Sequence, residues 1–461
     1  MSRIARSCCA YLIGAISLAG AVSGRADDTL TGDWSGLRPK LAADGFTASL
    51  TYDGEVFANT RGGFKTGATY EGMVTLGLDF NLDKVLPWTG ATVHATFYEI
   101  HGEGPTEKFV GDLGVLSSID FADGARLFTL WFDQSFFDHK IDIKAGLLAI
   151  DDEFATTTYG GTLLNSDFGT PAALSLAVPL ASFPIAAPGV RINVQPVKWA
   201  YLLAGVFDGN PAPGIYPDPS PDAVHSTGYN HYGTQIALRP DEGALITAEI
   251  GLQFNQPDTG AKGDTGKDDP KQAKPPRGLA STYKLGFVYD TDTFSNIYDV
   301  TLKRLRSSLA RAEMRAADGN HLIYVQADQE LWREPGSDTQ GLAAFFRATF
   351  APSDRNLMDR SLDAALHYTG LIPGRDTDEM SIGLSWDSLS SPIAAATNAS
   401  NHADHTTRAL PDYEAVVEWT YALKATAWWK LQPDVQWIIH PGGSAERGNA
   451  LVVGLRSSFT F

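Results

Sequence analysis

Phe46-Thr47-Ala48-Ser49-Leu50-Thr51-Tyr52-Asp53-Gly54-Glu55-Val56-Phe57-Ala58-Asn59 is the stretch on which the fold turns. Its even positions are Phe46, Ala48, Leu50, Tyr52, Gly54, Val56 and Ala58, while the odd ones include Thr47, Ser49, Thr51, Asp53, Glu55 and Asn59. Successive side chains of a β-strand point to opposite faces, so this segment predicts a strand with one apolar and one polar side. The same period returns along the chain. Val74, Leu76, Leu78 and Phe80 alternate with Thr75 and Asp79; Ile246, Ala248, Ile250 and Leu252 alternate with Thr247 and Glu249. Tyr413, Ala415, Val417, Trp419 and Tyr421 alternate with Glu414 and Glu418 near the end, and Leu451, Val453, Leu455, Phe459 and Phe461 lie on the last strand.

A soluble sandwich of two sheets alternates as well. A transmembrane barrel is favoured by segments close to the ~9–11 residues that a tilted spanning strand needs. Aromatic residues at strand ends and connections that alternate short with long point the same way. Asp138-His139-Lys140 and Val197-Lys198 are hairpin-sized, whereas Gly102 to Arg126 and Ala149 to Gly189 are long. The short turns are expected in the periplasm and the long loops outside. A barrel accommodates a long chain by adding strands, so 46–461 is read as one domain.

The N-terminus carries Arg3 and Arg6, an uncharged apolar run from Cys8 to Val22, and small residues around Gly24-Arg25-Ala26. This is the pattern of a secretory signal peptide, expected to comprise residues 1–26. Both cysteines, Cys8 and Cys9, fall inside it, which leaves no thiol chemistry for the exported chain. The chain's net charge of −18 becomes −21 once Arg3, Arg6 and Arg25 are removed, which argues against nucleic acid as a partner. After the signal peptide no apolar run is long enough for a transmembrane helix.

The segment Gly32-Asp33-Trp34-Ser35-Gly36-Leu37-Arg38 resembles the mature start of the carbohydrate-selective porins of the OprB family. Later stretches are similar to the same family: Val110 to Leu113, Arg126 to Gln134, Leu164-Asn165-Ser166 and Ala327-Asp328-Gln329. So are Gly370 to Arg375, Leu431 to Asp434 and Gly454 to Phe461. The resemblance implies a short helical segment within 27–45, a sixteen-stranded antiparallel barrel, an inward-folded constriction loop and facilitated diffusion of monosaccharides. Gln256 to Arg277 and Thr293 to Gly319 depart from the family pattern.

A sugar presents hydroxyls in all directions and weakly apolar C–H faces. A selective pore therefore needs charged or amide groups for paired hydrogen bonds and an aromatic platform. Trp131, Asp133, Arg191, Tyr324, Asp328, Glu330, Trp332, Arg347, Glu414 and Arg456 fall on the expected lumen face and are the pore-lining candidates. Each could equally be one member of a polar wall. Asp151-Asp152-Glu153 is expected to be a solvated acidic stretch, and His402, Asp404 and His405 to be surface residues, because neither group has the spacing of a metal site. No nucleophile elbow, phosphate-binding glycine loop or His-Glu-x-x-His is present, and no cofactor is implied.

The expected partners are small sugars, outer-membrane lipid with lipopolysaccharide, and the barrel assembly machinery through Phe461; self-association is left open. Rival readings are a pore for anions or amino acids, favoured by Arg191 and Arg347, and a barrel serving as a platform for adhesion. Counting strand-like segments gives seventeen, and a barrel with both ends in the periplasm needs an even number. Gly233 to Arg239 is the weak one and is expected to be a local β-segment inside one external loop, Asp208 to Gly243. Sixteen strands remain. Gln256 to Arg277 then becomes a periplasmic insertion; a hidden strand between Thr293 and Leu309 would instead make eighteen.

Overall fold

The polar–apolar alternation closes on itself. A computed structural model describes residues 28–211, 232–234, 236–239, 242–256, 278–309 and 313–461. Among them sixteen antiparallel strands pair in chain order, and the last pairs with the first. They are β1 (Phe46–Arg61), β2 (Gly67–Asn81), β3 (Ala91–Gly102), β4 (Gly124–Phe136), β5 (Ile141–Leu148), β6 (Ala187–Val197), β7 (Ala200–Asp208) and β8 (Ala244–Phe254). The second half comprises β9 (Ser281–Ser295), β10 (Ala316–Arg333), β11 (Gly341–Phe350), β12 (Met358–Thr369), β13 (Glu379–Leu389), β14 (Tyr413–Lys424), β15 (Trp429–Ile439) and β16 (Ala450–Thr460).

The closing seam shows the two faces side by side. Glu55 sits opposite Arg456 and Val56 opposite Leu455. The charged pair is buried inside while Val56 and Leu455 are exposed outside. Several strands run longer than the apolar alternation suggests, because β2 and β10 continue through polar residues at their loop ends.

Both chain ends share one rim, and the opening motif is what ties them together. Leu30 N–H donates to the Thr460 carbonyl at 2.8 Å, and an Arg38 Nη donates to the Phe461 carbonyl at 2.8 Å. The Arg38 guanidinium lies 4.5 Å from the Trp34 ring centroid, a cation–π contact. Helix α1 (Leu37–Ala43) follows and leads directly into β1.

Two features of the strand count resolve structurally. The described residues between Asp208 and Gly243 contain no strand, so the local β-segment expected at Gly233 to Arg239 is absent there. The Arg239 N–H is taken by the Asp208 carboxylate at 2.7 Å instead of by a ladder partner. Thr293 to Leu309 holds the end of β9 and helix α2 (Ile297–Leu305), not an eighteenth strand. The Asn296 side chain caps that helix, accepting from Tyr298 N–H. Beyond Gln256, the expected periplasmic insertion (257–277) lies outside the described residues.

Candidate permeation path and its constriction

Two long loops fold into the barrel, and their composition is the reason. The connection 149–186 carries Ile150, Phe154, Leu163, Leu164, Phe168, Leu174, Val178, Leu180 and Phe183, all buried. Phe154, Leu174, Val178 and Leu180 pack on the inward faces of Leu203, Phe207, Leu245, Val288 and Leu322 from β7 to β10. One side of the interior is thus a packed apolar core, not a water-lined wall. The connection 103–123 does the same opposite β1, where Phe109, Val110 and Leu116 pack with Phe57, Val416, Ile438 and Val452. This second inward loop is not foreseen above. Its own apolar residues, too many for a solvated loop, are the signal that would have found it.

Inside the barrel the loop backbone must find hydrogen-bond partners, and wall carboxylates supply them. Glu414 accepts from Leu113 N–H at 2.7 Å, Gly114 N–H at 2.8 Å and Gly442 N–H at 2.6 Å. Glu418 accepts from Leu164 and Asn165 N–H. Glu249 accepts from Ala155 N–H at 2.8 Å and from the Tyr324 and Tyr201 hydroxyls. Asp328 accepts from the Thr157 hydroxyl, Thr158 N–H and Tyr159 N–H. Arg347, with 0% exposure, works in the opposite sense: it pairs with Asp363 at 2.9 Å and donates to the Asp167 and Gly169 carbonyls. Arg456 pairs with Glu55 at 2.5 Å and donates to the Ser117 and Ser118 hydroxyls of the other loop.

A different group gathers on the β3–β6 side, where Trp131, Asp133, Lys144 and Glu153 are half-buried and Arg191 is buried. The Trp131 ring stacks on His94 at 4.7 Å and 17°, and Lys144 Nζ lies 4.0 Å from the Trp131 centroid. Arg191 pairs with Glu153 at 2.5 Å and lies 3.8 Å from Asp133; Lys144 also pairs with Glu153. Trp131, Lys144, Glu153, Phe154, Arg191 and Phe207 line one recess. Burial pushes the Glu153 carboxyl up, but Lys144 and Arg191 outweigh it and hold it below the usual carboxylate range. With His94 of β3 on one side of the Trp131 ring and Lys144 of β5 on the other, what this corner can offer a sugar is charged groups of both signs for its hydroxyls.

The ten candidates therefore separate into three sets. Trp131, Asp133 and Arg191 come together in that recess. Tyr324, Asp328, Arg347, Glu414 and Arg456 face inward but lie beneath the loops, so they anchor the constriction and do not border open lumen; a lumen-facing position only exposes a side chain if no loop covers it. Glu330 faces inward near the terminal rim, where it accepts from Ala280 N–H and pairs with Arg333. Trp332 is a correction: it is 47% exposed on the outer face. A register irregularity between Glu330 and Trp332 shifts the alternation by one residue and turns the indole outward. The acidic stretch is also corrected: Asp151 is buried and accepts from Phe183 N–H, so it is not solvated. Glu153, Lys144 and His94 gained their roles from the inward loop and the strand register, which the candidate list lacked. Among the described residues no group of three metal-ligating side chains occurs.

The loops also make the interior pH-sensitive. Burial, then Asp363 and Glu414, push the Asp167 carboxyl up to about 8; burial, then Glu55 and Glu107, push Asp120 up to about 7. A carboxyl whose folded pKa exceeds its unfolded value of about 3.9 stabilises the fold fully below that value. The contribution is lost as the pH rises through the folded pKa. Asp167→Asn is therefore expected to melt with a smaller drop between about pH 5 and about pH 9 than the parent chain, in thermal unfolding of the detergent-solubilised protein. Equal drops would show that Asp167 does not carry the dependence.

Comparison with known proteins bears on this geometry. The sequence profile described as "Carbohydrate-selective porin, OprB family" matches residues 65–461. The chain is 24% identical over 475 residues to Porin B of Pseudomonas aeruginosa, covering 98% of this chain and 97% of that protein. It is 24% identical over 452 residues to the putative porin QuiX of Acinetobacter baylyi, covering 94% of this chain and 93% of that one. Among solved structures, the high-pH structure of Pseudomonas putida OprB superposes with a TM-score of 0.79 at 21% identity, covering 95% of this chain and 99% of the other.

Proposed function

This chain belongs to the carbohydrate-selective porin, OprB family, and from that premise we propose that it passes monosaccharides and similar small sugars by facilitated diffusion into the periplasm. The fold is that of a channel, and the family and barrel place it in the outer membrane of a Gram-negative bacterium. Residues 1–26 act as the export signal.

The observation that carries the sugar reading is the Trp131 recess. Its ring is held flat by His94 and flanked by Lys144, Arg191, Glu153 and Asp133, so both signs of charge border an aromatic face. Anion selectivity would want a surplus of cations there, and the two carboxylates remove it. The recess lies where Glu153 of the 149–186 loop meets Lys144 and Arg191 of the β3–β6 wall. Liposomes containing the folded protein are expected to swell faster in monosaccharides than in disaccharides or in non-sugar osmolytes of matched size. Equal swelling in all three would leave a general solute pore, and no swelling would leave no pore.

A further inference from the structure

Thr293 to Gly319 departs from the family pattern, and the sugar reading above makes no use of it. Its middle joins β9 to β10 at the rim away from the chain ends, which is the outer one. The two ends of this connection are zipped together. Asn296 N–H donates to the Arg315 carbonyl at 2.7 Å, and Arg315 Nε and Nη2 each donate to an oxygen of the Asp299 carboxylate at 2.9 Å. Nη2 also reaches Asn296 Oδ1 at 3.2 Å. The guanidinium thus stays 5.8 Å from the Tyr298 ring centroid, although the side chain is 67% exposed. An arginine fixed in advance has less rotamer freedom left to lose when it binds something.

A second outer connection supplies the facing wall. Helix α3 (Ser391–Asp404), between β13 and β14, opens with Ser391 and Pro392. Ile393 of α3 and Ile297 of α2 share one apolar cluster with Leu389 and Met358, and Arg306 lies 3.3 Å from Asp404. The two helices are therefore tied at their starts and at their ends. Between their starts lies an open recess of about 490 Å³, lined by Asn296, Tyr298, Arg315, Ser391, Pro392 and Ala395. Sites for small ligands fall in the range of ~300–1,000 Å³. No hydrogen bond from the described residues engages Arg315 Nη1, the Tyr298 hydroxyl or the Ser391 hydroxyl.

We propose that this recess is an outer binding site for a neutral sugar, taken up there before it reaches the constriction; the proposal rests on the sugar reading above. Arg315 Nη1 and the Tyr298 hydroxyl donate to sugar hydroxyls, and the Ser391 hydroxyl donates or accepts. Pro392 and Ala395 give the C–H groups of the ring an apolar wall. A few convergent polar groups against such a wall are what a small polar ligand requires. Asp299 offsets the charge of Arg315, so an anion gains little over a neutral ring. The recess is open and holds its ligand loosely, as a station on a conducting path must if the ligand is to move on.

The test uses the full chain purified in detergent free of lipopolysaccharide. Residues 28–461 contain no cysteine, so an introduced one reports alone. Ala395→Cys places a thiol at an exposed position in the recess, and Ala445→Cys places one at an exposed position in the β15–β16 loop. Saturating D-glucose is expected to slow maleimide modification at position 395 roughly tenfold and to leave position 445 unchanged. Glycine betaine at the same osmolality should protect neither. Adding Arg315→Ala should raise the half-protecting glucose concentration roughly tenfold, about 1.4 kcal/mol. No protection at 395, equal protection at 395 and 445, or protection unchanged by Arg315→Ala would each overturn the proposal. So would a position 395 that is shielded without added glucose in outer-membrane fractions but open in detergent, which would assign the recess to lipopolysaccharide glycan. Protection without sugar-dependent liposome swelling would remove the transport reading and leave the site standing, whereas swelling without protection would remove only the site.

Discussion

Arg347→Ala is expected to lower the stability of the folded barrel by about 3–5 kcal/mol, the usual result of removing one partner of a buried pair. The guanidinium is fully enclosed and links Asp363 of the wall to the Asp167 and Gly169 carbonyls of the inward loop. Its loss leaves the buried Asp363 carboxyl without its cationic partner and frees two carbonyls. The apolar contacts of the loop with β7 to β10 remain, so the loop loosens instead of leaving. Molecules that do insert should therefore conduct more, with noisier single-channel records and weaker discrimination between sugars. Arg355→Ala, in the short turn after β11, is the control, because Arg355 pairs with the adjacent Asp354 and anchors no inward loop. Equal melting shifts and equal conductance for the two variants would remove Arg347 from its anchoring role.

Trp131→Ala should act on sugars and leave the scaffold largely in place. The indole packs between His94 and Lys144 and is only partly buried, so its removal frees the side chains it holds in place while Arg191, Glu153 and Lys144 stay paired. A loss of about 1–2 kcal/mol corresponds to five- to thirtyfold weaker block of ion current by a monosaccharide. Trp332→Ala is the informative comparison: it deletes the same side chain from the outer face. Sugar block that falls equally in both, or in neither, would place the sugar path elsewhere.

Much of this was legible in the sequence because it rests on local periodicity. The alternation from Phe46 to Asn59 assigns Val56 outward and Glu55 inward with no knowledge of any other strand, since the pleat alone puts neighbours on opposite faces. The even-strand requirement then identified Gly233 to Arg239 as dispensable, and the wall indeed closes with sixteen strands. Trp131, Asp133 and Arg191 converge because each sits on an unbroken run of that period.

What period two could not supply is anything that depends on a distant partner. Trp332 lies one residue past an irregularity created by the pairing of β10 with β11, and a single-residue slip exchanges the faces of everything beyond it. Glu414 and Arg347 read from the sequence as water-facing charges. Each is enclosed by a loop far away in the chain, Glu414 by Leu113 and Arg347 by Asp167. Local residue order thus determined that the chain makes a closed wall with a polar inside. Only tertiary structure decided which of those polar groups meet water and which hold the loops, because burial is a property of what folds over a residue and not of its neighbours in sequence.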